Sequence, residues 1–268
     1  MDVRSTVPLR TGSQMPVIGL GTWQLTKDTT GTVQQALEMD YPMIDTAVDY
    51  GTQPAIGEAM HRSGTRPEDV YIVTKVEENE DAYDGTVRDL DELDLDYVDL
   101  MLIHRPPGRS PGHELWEGLI RAREDGLTRD IGVSNYSVDQ LEELVDASGE
   151  VPAVNQIEWT PFGWNSHMLD YCRDREIVIQ AYSPLTRTER LDDRRLNEIA
   201  ASYDKTPAQL LIRWDLQLGV VPIPKANDPA HLAENLDVFD FEISDEHMEE
   251  LNRLNEHWSS LGQSPMYE

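Results

Sequence analysis

The sequence predicts an α/β protein built as a (β/α)8 TIM barrel, with an N-terminal β-hairpin and extra helices. Short apolar runs alternate with amphipathic stretches of helical period, as a series of βαβ units requires. The length of 268 residues is close to the ~250 residues of a typical barrel of this kind. Polar residues stand where several apolar runs end, which is where barrels gather functional side chains. We find no linker or low-complexity tract and expect residues 1–268 to form a single domain.

The elements follow one another in a regular order. Residues 7–17 contain the turn Thr11-Gly12-Ser13 and predict the hairpin. The barrel strands are expected near 18–21, 42–45, 70–74, 98–103, 130–133, 153–156, 177–181 and 220–223. The intervening helices are expected near 28–39, 52–62, 84–93, 112–126, 137–147, 165–175 and 206–217. Further helices are expected near 192–203, 230–236 and 244–256.

Several helix starts carry capping residues. Ser137 and Gln140 have the spacing of a capping box, and Ser244 begins a looser version. Thr206 and Asp228 each stand directly before a proline, which combines a cap with a residue suited to the first helical position. These signals fix four of the predicted helix starts.

Four polar residues fall at the same place in successive units. Asp45 closes the run 42–45, and Tyr50 lies just beyond it. Lys75 follows the run 70–74, and His104 follows the run 98–103. Because a parallel barrel brings its βα loops to one face, we expect an acid, a phenol, an ammonium and an imidazole in one proton-transfer site.

The motifs around these residues resemble those of aldo-keto reductases, in order and at family spacing over nearly the whole chain. They are Gly19-Leu20-Gly21-Thr22-Trp23, Ile44-Asp45-Thr46-Ala47 with Tyr50 and Gly57, Thr74-Lys75, Leu102-Ile103-His104-Arg105-Pro106, Ile131-Gly132-Val133-Ser134-Asn135, Asn155-Gln156-Ile157-Glu158, Ala181-Tyr182-Ser183-Pro184-Leu185, Ile223-Pro224-Lys225 and Glu234-Asn235-Leu236. The likeness is greatest to short prokaryotic members, including diketo-gluconate reductases, which accept aldehydes and ketones broadly.

The resemblance implies reduction of small carbonyl compounds with NADPH or NADH. The reaction requires a hydride at carbon, which no side chain supplies, and a proton at oxygen. Tyr50 would donate that proton, and Lys75 would lower the pKa of the phenol from ~10. Asp45 would hold Lys75, and His104 would orient the carbonyl oxygen. No Cys or His cluster has the spacing of metal ligands, so no metal is expected.

The cofactor site is also implied by the resemblance. The chain lacks a strand-linked Gly-x-Gly-x-x-Gly, and barrels often bind phosphate through the loops after strands seven and eight. Tyr182 would stack on the nicotinamide ring, and Ser134, Asn135 and Gln156 would hold its carboxamide. The full expected set is Gly21, Thr22, Trp23, Ser134, Asn135, Gln156, Tyr182, Ser183, Leu185, Pro224, Lys225, His231, Glu234 and Asn235.

The segment after the eighth strand predicts the use of both cofactors. Relatives that prefer NADPH bind its 2′-phosphate with a lysine, a following Ser or Thr, and a later arginine. Here Lys225 is present, but Ala226 replaces the hydroxyl and His231 stands where the arginine is expected. We therefore expect only a modest preference for NADPH. Glu234 and Asn235 would face the adenine.

The substrate pocket departs from the family pattern. Arg105 stands where a tryptophan usually follows the histidine, and Trp23 would line the mouth of the pocket.

Two other functions fit the residues. A barrel lysine such as Lys75 can form an imine, as in a Schiff-base aldolase. A non-catalytic subunit that senses nicotinamide would bind the nucleotide without turning over carbonyl compounds. Borohydride trapping and an aldehyde panel separate these readings.

The composition is strongly acidic, with 51 Asp and Glu against 22 Lys and Arg and a net charge of −29. Such a surface repels nucleic acid and anionic membranes. It also repels itself unless salt screens the charges, which favours a halophile with concentrated salt in its cytoplasm.

Cys172 is the only cysteine, and no apolar run has the length of a signal peptide core or a membrane span. We expect a cytoplasmic monomer.

Overall fold

The computed structural model describes residues 1–25, 27–108, 110–262 and 264–266. In these residues the strands are β1 (Thr6–Pro8), β2 (Gln14–Pro16), β3 (Leu20–Gly21), β4 (Met43–Asp45), β5 (Tyr71–Val76), β6 (Val98–Ile103), β7 (Thr128–Ser134), β8 (Val154–Glu158), β9 (Val178–Tyr182) and β10 (Val221–Pro222). The helices are α1 (Thr29–Glu38), α2 (Gln53–Ser63), α3 (Ala82–Leu93), α4 (His113–Glu124), α5 (Val138–Ser148), α6 (Ser166–Asp174), α7 (Arg194–Ala201), α8 (Pro207–Gln217), α9 (Pro229–Leu236) and α10 (Asp245–Asn252).

Strands β3 to β10 form one parallel sheet in sequence order, and the sheet closes on itself. Backbone hydrogen bonds from Gly19 N to Pro222 O (3.1 Å) and from Gly21 N to Pro224 O (3.3 Å) join its two edges. A Cβ atom at position 21 would lie 2.7 Å from the Ile223 carbonyl oxygen, so the closure requires glycine there. The predicted (β/α)8 barrel is confirmed.

The antiparallel pair β1 and β2 forms the predicted hairpin, with Thr6 opposite Pro16. Its turn contains Gly12, whose φ of +94° favours a residue without a side chain. The hydroxyls of Thr11 and Ser13 bond Asp130, which lies near the start of β7 and is buried. The hairpin is therefore attached to the end of the barrel where the strands begin.

The core lies on both faces of the sheet. All six residues of β5 and all six of β6 are buried, as expected for strands with side chains inside the barrel and beneath the helices. Trp116 of α4 and Trp214 of α8 are fully buried against the sheet layer. Burial of each large apolar side chain stabilises the fold by about 1.5–3 kcal/mol, so this layer holds the loops above it in fixed positions.

The predicted elements are all present, but some of their ends were wrong. Strands β3 and β10 have only two residues each, and Pro222 and Pro224 accept hydrogen bonds across their seam but have no N–H to donate. Helix α10 ends at Asn252 rather than near 256. The chain beyond it turns back to the barrel, where Glu256 N and Trp258 N both donate to Phe162 O.

The helix caps agree with the sequence. Ser137 and Gln140 form the predicted capping box, and Asp228 caps α9 through Ala230 N. Thr206 and Gln209 form a second capping box, in addition to the cap predicted before Pro207. None of the described helices has the length and apolar character needed to cross a membrane.

Candidate active site

The four predicted proton-transfer residues lie together where β4, β5 and β6 end. Asp45 is the last residue of β4, Lys75 lies in β5, and His104 follows β6. The Lys75 Nζ lies 2.9 Å from each carboxylate oxygen of Asp45 and 2.7 Å from the carbonyl oxygen of Thr46. Lys75 is 0% exposed, so its three N–H donors all meet partners inside the protein.

The Asp45–Lys75 pair is held by further polar groups. Gln156 Nε2 donates to Asp45 Oδ2 at 2.7 Å and to Gln180 Oε1 at 2.5 Å. Burial lowers the pKa of Lys75, while the charge and hydrogen bonds of Asp45 act in the opposite direction. A buried pair of this kind is costly to break, because removing one partner leaves the other charge uncompensated.

Tyr50 lies on a short 3₁₀ turn (Val48–Tyr50) between Lys75 and His104. Its ring centroid is 5.0 Å from Lys75 Nζ, and it meets the His104 ring edge-on with centroids 5.6 Å apart. Burial, followed by the charge of Asp45, raises the pKa of Tyr50 well above its usual value, although Arg105 lowers it. The prediction that Lys75 lowers this pKa was wrong.

The error in the Tyr50 prediction has a physical cause. The charge of Lys75 is compensated by Asp45 at 2.9 Å, so little of it remains to stabilise a phenolate. Desolvation of the phenolate then dominates. Tyr50 is therefore a neutral phenol at neutral pH, which is the form that can donate a proton.

His104 has an acidic partner that the sequence analysis missed. Its Nδ1 lies 2.7 Å from Glu77 Oε1, and its carbonyl oxygen accepts a 3.1 Å hydrogen bond from Asn135 Nδ2. Burial raises the pKa of Glu77, but the hydrogen bond and charge of His104, together with Arg105, bring it below its usual value. Glu77 lies one residue beyond β5 and His104 one residue beyond β6, so no local pattern in the sequence pairs them.

Glu77 and His104 belong to a small cluster with Asp49. One oxygen of each acid and one ring nitrogen of the histidine all lie within 4.8 Å of one another. The three residues come from three separate segments, so their spacing along the chain did not indicate the cluster. Within this cluster Glu77 and His104 bond each other directly, and Asp49 lies close to both.

A cavity of about 770 Å³ opens above these residues, within the range of ordinary ligand pockets. The predicted residues that line it are Gly21, Trp23, Asp45, Tyr50, His104, Arg105, Ser134, Asn135, Gln156, Tyr182, Ser183, Leu185, Pro224, Lys225 and His231. The others do not line it. Thr22, Lys75 and Asn235 are buried behind the wall, and Glu234 lies on α9 beside Asn235.

One wall of the cavity is a connected polar network. Ser134 Oγ donates to Gln156 O at 2.8 Å, and Tyr182 OH donates to Asn135 Oδ1 at 2.7 Å. Asn135 Nδ2 donates in turn to Ser134 Oγ at 3.0 Å. Asn135 has a φ of +65°, a left-handed conformation that asparagine tolerates. These bonds hold the Tyr182 ring in place against the cavity.

Positive charge is concentrated in this cavity, although the whole chain is acidic. Arg105, Arg187 and Lys225 all line it, and none of the three makes an ion pair with a described residue. Burial and the nearby Lys27 lower the pKa of Lys225. The Arg187 guanidinium lies 4.2 Å from the Trp23 ring centroid. Cations without an ion-pair partner among the described residues suit a cavity that binds an anionic group.

The C-terminal segment supplies a part of the wall that the sequence analysis did not predict. Leu261, Ser264 and Pro265 line the cavity. The segment is fastened to Glu158, at the end of β8, by Ser259 Oγ at 2.6 Å and by the N–H of residue 260 at 2.9 Å. These partners are about one hundred residues apart in the chain, so no local pattern indicates the contact.

Comparisons with known proteins agree with this geometry. A family model described as the aldo/keto reductase family matches residues 17–256. The chain is 40% identical over 258 residues to an aldo-keto reductase of Mycobacterium sp. strain MCS, covering 94% of this chain and 91% of that protein. It is 38% identical over 260 residues to a glyoxal reductase of Bacillus subtilis, covering 95% and 94%. The crystal structure of an aldo/keto reductase from Brucella melitensis superposes with a TM-score of 0.88 at 35% identity, covering 94% and 99%.

Proposed function

The chain belongs to the aldo/keto reductase family, whose members are NAD(P)H-dependent oxidoreductases, and we propose that it reduces small aldehydes and ketones with Tyr50 as the proton donor. The observation that carries this proposal is the position of Tyr50. Its ring lies between Lys75 and His104 at the floor of a cavity large enough for cofactor and substrate.

The proposed mechanism assigns a separate task to each side chain. A nicotinamide cofactor, when bound in the cavity, would supply the hydride. Tyr50, a buried neutral phenol, gives its proton to the carbonyl oxygen as negative charge develops there. His104 orients the same oxygen. The buried Asp45–Lys75 pair fixes the position of the Tyr50 ring and excludes water beneath it.

The two other candidate functions receive less support. An imine requires a neutral lysine that can reach a ketone, whereas Lys75 is fully buried and donates to Asp45 and Thr46. A sensing subunit has no need of an assembled proton donor. Reduction is therefore the function that the site supports best.

The direct test is a panel of aldehydes and ketones, including glyoxal, assayed with NADPH and with NADH in molar KCl. Tyr50→Phe keeps the ring and removes the donor, so kcat should fall by ~10²–10⁴-fold. Nucleotide binding, followed by protein fluorescence, should not change. Tyr83→Phe is the matched control, because the Tyr83 hydroxyl bonds Asp125 outside the cavity. Full activity of Tyr50→Phe would refute the assignment.

We further propose that both cofactors are used, with a modest preference for NADPH. Support comes from Lys225 and His231, which line the cavity beside the start of α9. Lysine lacks the forked geometry with which arginine binds a phosphate. His231→Arg should raise the NADPH-to-NADH ratio of kcat/KM by about tenfold, or ~1–2 kcal/mol. His167→Arg, on the exposed face of α6, should leave it unchanged. A wild-type ratio in the thousands would contradict the proposal.

The acidic composition of the chain supports a proposal about its cellular environment. With 51 acidic against 22 basic residues, the chain suits a cytoplasm rich in salt. We propose that the whole chain works there as a monomer with a single catalytic domain. The like-charged surface that disfavours nucleic acid also disfavours association with a second copy.

A further inference from the structure

The hydrogen bond between Glu77 and His104 fixes where the imidazole carries its proton. The two side chains are 21% and 6% exposed, and the Glu77 Oε1 to His104 Nδ1 distance is 2.7 Å. The pKa of Glu77 lies below its usual value, so the acid is a carboxylate and can only accept a hydrogen bond. The Nδ1 atom must therefore be the protonated one.

This tautomer limits what His104 can do in the cavity. A neutral imidazole carries one proton, so a ring protonated on Nδ1 presents a lone pair at Nε2. Since Nδ1 faces Glu77, Nε2 is the nitrogen that remains for the cavity that His104 lines. A carbonyl oxygen is also only an acceptor. The neutral ring and the substrate oxygen would thus meet with two lone pairs and no proton.

We propose that Glu77 is a positioning residue that holds the proton of His104 on Nδ1, so that the ring donates to the substrate oxygen through Nε2 only as an imidazolium. The proposal rests on the proposed carbonyl reduction and adds a proton requirement to it. The neutral ring has the complementary use, since its Nε2 can accept a hydrogen bond from an alcohol during oxidation.

Charged groups lie near the His104 ring on three segments. Glu77, from the loop after β5, and Asp49, from the turn after β4, are the acidic ones. Arg105, the next residue in the chain, is the basic one. Tyr50 meets the ring edge-on and is neutral. The charges of Asp45 and Lys75, which lie behind Tyr50, compensate each other. On the other side, Tyr182 is neutral and donates to Asn135.

NMR of protein labelled with ¹⁵N-histidine measures directly which ring nitrogen of His104 carries the proton. His104→Asn identifies the His104 signals among the seven histidines. In the wild type at alkaline pH, we expect the proton on Nδ1 and an unprotonated signal from Nε2. Glu77→Leu, which removes the acceptor, should shift the proton to Nε2 in a large fraction of the molecules. Asp49→Asn removes one nearby charge but no bond to the ring, and should leave the proton on Nδ1.

The kinetic consequence is tested in parallel, with EDTA present in all samples. Reduction by the wild type should decline on the alkaline side. In Glu77→Leu that decline should move to lower pH, and kcat at neutral pH should fall by roughly 10–10²-fold, below the ~10²–10³-fold typical of deleting an oxyanion donor outright. Cofactor binding should not change. Glu77→Gln keeps an acceptor without the charge and should lie between the two.

The outcomes separate this proposal from the proposed function. A neutral wild-type ring with its proton on Nε2 would overturn the tautomer assignment, whether or not the enzyme is active. An unchanged pH profile in Glu77→Leu would overturn the proton requirement. Failure of the wild type to reduce any compound in the panel would instead contradict the proposed function, and the NMR result would still stand.

Discussion

Asp215 of α8 is a buried carboxyl group whose two oxygens have no hydrogen-bond partner among the described residues. Burial raises its pKa well above the usual value. Well below the ordinary carboxyl pKa of ~3.9, the group is protonated in both folded and unfolded chains. As the pH rises further, the unfolded chain loses the proton while the folded chain retains it. The free energy of unfolding therefore falls with rising pH until the folded pKa is reached.

We predict that Asp215→Leu stabilises the protein at neutral pH. Leucine has the same branched shape as aspartate but no polar atoms, so the change should raise the free energy of unfolding by about 1–3 kcal/mol. Thermal unfolding in molar KCl measures it. Asp215→Asn is polar but cannot ionise, so its advantage over the wild type should be small near pH 4 and grow towards pH 7. A gain from Asp215→Asn that does not depend on pH would contradict the assignment.

At the scale of single residues, the sequence predicted where the active-site residues lie better than it predicted their burial and hydrogen-bond partners. Asp45, Lys75 and His104 were found because each closes an apolar run in a fold that gathers such ends. The pKa of Tyr50 was predicted in the wrong direction. The sequence indicates that Lys75 lies near Tyr50, but it does not show how deeply the Tyr50 side chain is buried. Glu77 was missed because its partner His104 follows a different strand, β6, 27 residues later in the chain.

At the scale of elements, the contact between β8 and the C-terminal segment controls one wall of the cavity. We predict that Glu158→Leu releases this segment, because Ser259 and Ser260 lose their acceptor. Limited proteolysis after Trp258 should become faster, and the KM for small aldehydes should rise more than kcat changes. Glu142→Leu, on the exposed surface of α5, is the control for loss of one carboxylate. Equal proteolysis of both variants and the wild type would contradict the role of Glu158.

The order of the elements was predictable, because period and capping are local properties of the chain. Ser137 with Gln140 and Asp228 before a proline are short patterns, and the structure has helices beginning where they indicate. The end of α10 was not predictable, since it depends on Phe162, a residue far away in the chain that binds the segment after the helix. The part of the cavity wall formed by the C-terminal segment was not predicted either, because it also depends on a contact with a distant residue.

At the scale of the whole molecule, acidic residues outnumber basic ones by 51 to 22, and two electrostatic effects oppose each other. Surface ion pairs, such as Arg66 with Asp69 or Arg253 with Glu249, stabilise the fold, and salt weakens them. Exposed pairs of this kind contribute about 0–1 kcal/mol each. The remaining acids repel one another, and salt weakens that repulsion too. Because the unpaired acids are in the majority, the second effect should prevail.

We therefore predict that activity and the thermal midpoint rise together as KCl increases from about 0.01 M to about 1 M. Over this range the Debye length shrinks from ~30 Å to ~3 Å, so repulsion between neighbouring acids on the surface is screened. Sucrose at equal osmolality is the control, because it stabilises folded proteins by exclusion without screening charge. Salt should exceed sucrose in its effect on the thermal midpoint. Equal stability and activity in dilute buffer would mean that repulsion between the acidic residues does not limit stability, and that the acidic surface is no adaptation to salt.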